Sequence, residues 1–115
     1  MCGILAFFDK NGHYKGTPEE LKTHLSSLSH RMVTRGPDGC GYFGGKNWGL
    51  SHERLSIMDP EGGKQPIIYD EGRTGKSAMA SVVNGEIYNH HELIKKYGKD
   101  SLPPMTGSDS EVINY

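Results

Sequence analysis

Apolar residues in this chain fall into short runs and spaced stripes, and each predicts an element. The opening "GILAFF" (3–8) is continuously apolar and closes on the turn residues "DKNG", which predicts a short buried strand. In "TPEELKTHLSSLSHRM" the apolar positions Leu21, Leu25, Leu28 and Met32 form one helical stripe. Thr17 is placed to cap that helix, Pro18 takes its first position, and Glu20 at the third position completes a capping box. From "RGPDGCGYFGGKNWG" to "IIYDEGRTGKSA" the pattern is loops and short strands, dense in glycine. "SAMASVV" predicts a second buried strand ending at "NGE". Asn89 and Glu92 mark a helix start in "NHHELIKKYG", with Gly98 as its stop. Ser108 and Glu111 mark a third start in "GSDSEVINY", where Val112 and Ile113 are the first rung of a stripe with no further rungs, so a truncated helix is expected.

Composition narrows the class. The 115 residues allow one small domain, and with 34% hydrophobic residues and 16 glycines the core it can build is thin. Thirteen Lys+Arg against fourteen Asp+Glu leave a net charge of -1, with no field for nucleic acid or an anionic membrane. "GILAFF" lacks a basic flank and runs straight into Asp9 and Lys10, so it is not a secretory signal. No run approaches the roughly 18 apolar residues of a membrane span. Cys2 and Cys40 are therefore read as free thiols of a cytoplasmic protein.

The terminal cysteine raises the first chemical question. The thiolate is the nucleophilic form of cysteine. Once Met1 is removed, Cys2 carries both a thiol and a free α-amine, whose ordinary pKa of about 7.7–8.0 suits a local general base. Taken alone, Cys2 reads first as a small hydrophobe beginning a strand. Acyl transfer also needs donors for an oxyanion. Asn84 has a side-chain amide and Gly85 an unobstructed backbone N–H, although "NG" is also an ordinary turn. An α-amino acid substrate needs a fork for its carboxylate, for which Arg54 is the candidate. Glu86 and Asp109 are candidates for its ammonium. Taken singly, Arg54 and Glu86 read first as surface ion-pair residues, and Asp109 as a favourable first-turn acid.

Five segments stand here in one order: "MCGI", "RGPDG", "HERLSIMD" with "QP" close behind, "NGEIYNH" and "GSDSEV". Together they resemble the N-terminal glutaminase domain of the asparagine synthetase family, class II (Ntn-type) glutamine amidotransferases, from Met1 to about Val112. The resemblance implies an α+β fold, the N-terminal portion of an Ntn-hydrolase αββα sandwich. Residues 1–115 would form a partial type-2 glutamine amidotransferase domain, with the synthetase domain absent. It implies Cys2 as nucleophile on the amide of L-glutamine, with Asn84 and Gly85 as the oxyanion hole. Arg54 would hold the α-carboxylate, Glu86 and Asp109 the α-amino group, and the backbone of Arg54, Leu55, Ser56, Ile57 and Met58 would line the pocket. The ammonia would pass to a synthetase domain or subunit that makes asparagine from aspartate. ATP and magnesium would belong there, so no cofactor or metal is expected in this chain. Two other readings fit the same residues: a truncated, non-catalytic remnant or binding module, and an amidotransferase serving a different synthetase.

Other features are set aside. "GRTGKS" (72–77) approaches a phosphate-binding loop, but Asp70 stands where that pattern needs glycine, and a hairpin tip is expected. Adjacent His90 and His91 point about 100° apart on a helix, so they read as solvated helix-start residues rather than metal ligands. His52 is given no chemistry, Cys40 is read as incidental in a glycine loop, and in "RGPD" Gly36 and Pro37 fix a turn while the sequence assigns no role to Arg35 or Asp38.

Overall fold

A computed structural model of the chain describes residues 1–69, 79–98 and 106–115. It mixes helix and strand, as an α+β chain should. Three antiparallel strands, β1 (Gly3–Phe8), β2 (Gly39–Gly44) and β3 (Trp48–Arg54), form a sheet in the order β1-β3-β2. Register pairs Gly3 with Glu53 on one edge of β3 and Cys40 with Glu53 on the other. Helix α1 (Pro18–His30) lies across this sheet. A second antiparallel pair, β4 (Ile67–Tyr69) and β5 (Met79–Ser81), packs with the 3-10 helix Asp109–Asn114, which also meets helix α2 (His90–Tyr97). Among the described residues no helix is long and apolar enough to cross a membrane.

The α1 signals act as the sequence predicts, with one change of face. Thr17 Oγ1 accepts from the Glu20 N–H at 3.1 Å and donates to the Glu20 carboxylate at 3.3 Å. The cap is thus side chain to side chain on its return leg. Leu21 and Leu25 are buried at 1% and 4% exposure, whereas Leu28 is 38% exposed. The stripe continues instead through Ser29, fully buried, whose hydroxyl donates to Glu53 Oε1 at 3.0 Å. A sheet residue, Glu53, supplies the polar partner that makes a serine acceptable there.

The expectation of a buried strand at "GILAFF" is corrected. Gly3, Leu5 and Phe7 face α1, while Ile4 (45% exposed), Ala6 and Phe8 (69% exposed) lie on the opposite, open face. Period two outweighs the continuous apolar run, because among the described residues only one side of β1 meets a helix. "SAMASVV" is similarly shorter than expected: strand pairing covers Met79–Ser81, and Met79 is half exposed. Ser77 and Ala78 lie outside the described residues, as does the expected hairpin tip at 72–77. Cys40 belongs to β2, not to a loop. At the third predicted helix start the backbone is 3-10. Ser108 caps it by accepting from the Ser110 N–H, but Glu111 turns to the Thr106 N–H and hydroxyl at 2.7 and 2.6 Å. His90, expected to be solvated, is buried with Nδ1 3.0 Å from the Ile87 carbonyl, and His91 is exposed.

The facing of α1 is testable. Leu25→Ala is expected to lower the unfolding free energy by about 2–5 kcal/mol, the usual cost of truncating a buried leucine. Leu28→Ala should cost under about 1 kcal/mol, as at a surface position. Chemical denaturation of both variants checks this, and equal costs would contradict the assigned face.

Candidate functional site

Strand β3 delivers the site. Its residues alternate between faces, so Ser51 and Glu53 point toward α1 while Leu50, His52 and Arg54 point to the other side. Beyond Arg54 the chain leaves the sheet as "LSIMDP" and turns at Asp59, whose φ of 47° is left-handed. Asp and Asn tolerate that region better than other side chains because they bond locally. Here the Asp59 carboxylate accepts from the Gly62 N–H at 2.9 Å.

Arg54 is buried, yet its partners are backbone carbonyls. One terminal nitrogen donates to Pro60 O at 2.8 Å and the other to Met58 O and Asp59 O at 3.0 and 2.6 Å. Three of the five N–H groups of the guanidinium are therefore engaged, leaving at most two for a ligand.

Cys2 sits against the start of the same loop. The Leu55 N–H points at Cys2 Sγ from 3.3 Å, and the thiol lies 3.7 Å from the Leu55 carbonyl. The "RGPD" turn braces this corner from outside. Arg35 Nε donates to the Cys2 carbonyl at 3.3 Å, and Asp38 Oδ2 accepts from the Ser56 N–H at 2.8 Å. Gly36 packs so closely on the Glu53 carbonyl that a Cβ would overlap it, which requires glycine there.

A cavity of about 510 Å³ opens between these pieces, within the roughly 300–1,000 Å³ of small-molecule sites. It brings Cys2, Arg54, Leu55, Ile57 and Met58 together with Asn84, Gly85, Glu86 and Asp109. Ser56 does not line it, because its backbone is turned to Asp38. Met1, 72% exposed, stands at the rim. Asn84, Gly85 and Glu86 are exposed, whereas Asp109 is buried and accepts from the Ile87 N–H. Among the described residues no group of His, Cys, Asp and Glu has the arrangement to hold a metal ion, and both cysteines are free.

Three contributors carried no usable signal in the sequence. His52 is fully buried and lines the cavity, with Nε2 3.2 Å from the Val83 carbonyl. Gln65 Oε1 accepts from the Val83 N–H at 2.6 Å. The peptide groups of Val83 are thus clamped from both sides immediately before Asn84. Asp59, the third, accepts from the Gly107 N–H at 2.6 Å across 48 positions. The N–H groups of Gly107 and Gly62 hold its carboxyl below the ordinary carboxylate range. All three lie in "HERLSIMD" and "QP", so their words were visible and their partners were not.

Burial holds His52 below the ordinary imidazole pKa. The Val83 carbonyl opposes that effect and the Arg54 charge adds to it. A histidine depressed in the fold binds its proton more readily when unfolded. Stability from this group is therefore complete above the unfolded pKa, near 6.5, and is lost as pH falls toward the folded value. His52→Gln, which keeps an N–H for Val83, is expected to flatten the decline in unfolding free energy between about pH 7 and about pH 5. Denaturation at a series of pH values checks this, and parallel declines in both chains would assign the effect to another group.

Comparison with known proteins agrees with the motif order. A family profile described as a glutamine amidotransferase domain matches residues 1–114. The chain is 44% identical over 113 residues to the asparagine synthetase B [glutamine-hydrolyzing] of Escherichia coli (strain K12), covering 98% of this chain and 19% of that protein. Against asparagine synthetases [glutamine-hydrolyzing] 1 and 2 of Arabidopsis thaliana it is 40% and 42% identical, covering 98% of this chain and 18% of each. It thus spans under one fifth of the length of these relatives. With the match running from the first residue to the last but one, and with Cys2, Arg54, Asn84 and Asp109 gathered around one cavity, the chain belongs to the glutamine amidotransferase domain family.

Proposed function

We propose that this chain hydrolyses the side-chain amide of L-glutamine and supplies the ammonia to a synthetase that makes asparagine from aspartate. The observation that carries the proposal is the one cavity shared by Cys2, an Asn-Gly pair and a buried arginine. In this reading Met1 is removed, freeing the α-amine of Cys2. That amine takes the thiol proton as Sγ attacks the amide carbon of glutamine. The carbonyl oxygen becomes an oxyanion, met by the Asn84 side-chain amide and the Gly85 N–H. Collapse breaks the C–N bond, the leaving nitrogen takes the proton from the α-ammonium, and ammonia departs. Water then attacks the γ-glutamyl thioester, returning the thiol and releasing glutamate.

Substrate selection in this reading is by the α-carbon. The N–H groups of Arg54 not committed to carbonyls meet the α-carboxylate, and Glu86 and Asp109 meet the α-ammonium. The backbone of Leu55, Ile57 and Met58 walls the pocket. ATP and magnesium serve the synthetase, outside these residues. The same reading takes the sheet and α1 as part of an αββα sandwich and the setting as cytoplasmic, in keeping with two free thiols.

Intact mass before and after treatment with an electrophilic glutamine analogue tests the nucleophile. A species lacking Met1 should gain one adduct, mapped to Cys2 and blocked by excess glutamine, and Cys2→Ala should gain none there. Retained Met1, or an adduct that glutamine does not block, would reject the reading. Arg54→Lys is expected to weaken glutamine protection about tenfold or more, since one charge-assisted hydrogen bond contributes about 1.5–3 kcal/mol. Unchanged protection would remove Arg54 from the pocket.

A further inference from the structure

We propose that Asp59 is the positioning residue that latches the two walls of the glutamine pocket to each other, an inference that rests on the reading above. One wall is the loop that follows β3, with Arg54, Ile57 and Met58. The other is the 3-10 helix with Asp109. In the proposed function the first wall takes the α-carboxylate and the second the α-ammonium. Those two groups sit on one carbon of the substrate, so the walls must keep a fixed separation to hold both.

Asp59 touches both walls and does not itself line the cavity. Its main-chain carbonyl accepts from Arg54 at 2.6 Å and from the Gly63 N–H at 2.9 Å. Its carboxylate accepts from Gly62 on its own loop and from Gly107, the residue immediately before the Ser108 cap of the 3-10 helix. The left-handed φ of 47° aims the side chain back over its own loop and across to Gly107. Each oxygen is committed to one N–H: Oδ1 to Gly62 and Oδ2 to Gly107. An asparagine would keep the shape and tolerate the backbone, but it offers one acceptor oxygen where two are used. Its amide nitrogen would then oppose one of the two N–H donors.

The latch predicts a selective defect. Cys2 meets the loop at Leu55, whereas the Asp59 carboxylate is bonded to Gly62 and Gly107. Asp59→Asn should therefore leave the rate of Cys2 alkylation by iodoacetamide, which has neither α-group, within about twofold. It should raise the L-glutamine concentration that halves that rate about tenfold, as expected from one lost charge-assisted hydrogen bond. Gly107→Pro, which deletes the N–H from the opposite wall, should reproduce the same split. Adducts are mapped by peptide mass to separate Cys2 from the exposed Cys40. If glutamine protects the unaltered chain and both variants equally well, the latch is rejected and the glutaminase reading stands. If glutamine fails to protect the unaltered chain, the glutaminase reading is rejected and the latch falls with it. Equal loss of iodoacetamide reactivity and glutamine protection, or loss of cooperative melting in both variants, would make Asp59 purely structural and overturn the proposal.

Discussion

The central position of β3 is the constraint from which the rest of the structure follows. A strand hydrogen-bonded on both edges cannot slip by one residue without exchanging its two faces. Here such a slip would send Glu53 and Ser51 toward the cavity and bury His52 and Arg54 against α1. The Ser29–Glu53 bond at 3.0 Å and the buried leucines of α1 reward only the observed register. Cys2 then adjoins Leu55 because Gly3 pairs with Glu53.

A buried cation is the second demand of this arrangement, and it organises the loop. Removing a guanidinium from water is costly unless its N–H groups find acceptors. With Arg54 only 8% exposed, the Met58, Asp59 and Pro60 carbonyls supply them. The loop therefore curls around the side chain it must position. The usual partner of a buried arginine is a carboxylate. Here carbonyl dipoles hold the guanidinium directly, and the Asp59 carboxyl feels its charge, which helps to lower the pKa of that carboxyl.

On the remaining face of the sheet the β1 edge is open among the described residues, whereas Leu50, His52 and Arg54 of β3 are buried there. Ile4 and Phe8 stand out from β1, and Phe8, Phe43, Trp48, Leu50 and Ala80 surround a second cavity of about 650 Å³. Among the described residues the buried apolar side chains are Leu21, Leu25, Leu50, Ile67 and Tyr69. Each is worth about 1.5–3 kcal/mol at most. This short set agrees, among the described residues, with the thin core expected from 34% hydrophobic residues and 16 glycines.

Features governed by neighbours in the chain are legible in the amino-acid order alone. The Thr17 cap, the Pro18 start, the Ser108 cap and the helix at His90–Tyr97 each follow from residues within a turn of one another. The five motif words likewise carry the family and most of the residues around the cavity. Which face of "GILAFF" is covered is not legible, because an apolar run looks alike whether one side or both meet a partner. Nor is the departure of the buried stripe from Leu28 to Ser29, since the deciding group, Glu53, lies 24 positions away. The clamp on Val83 by His52 and Gln65 and the bond from Gly107 to Asp59 join residues 18 to 48 positions apart. Caps, turns and the motif words are thus written in the chain, because local hydrogen bonding and residue chemistry set them. Faces, clamps and the span of the pocket came from tertiary packing, because bonds between distant positions leave no periodic trace in the chain.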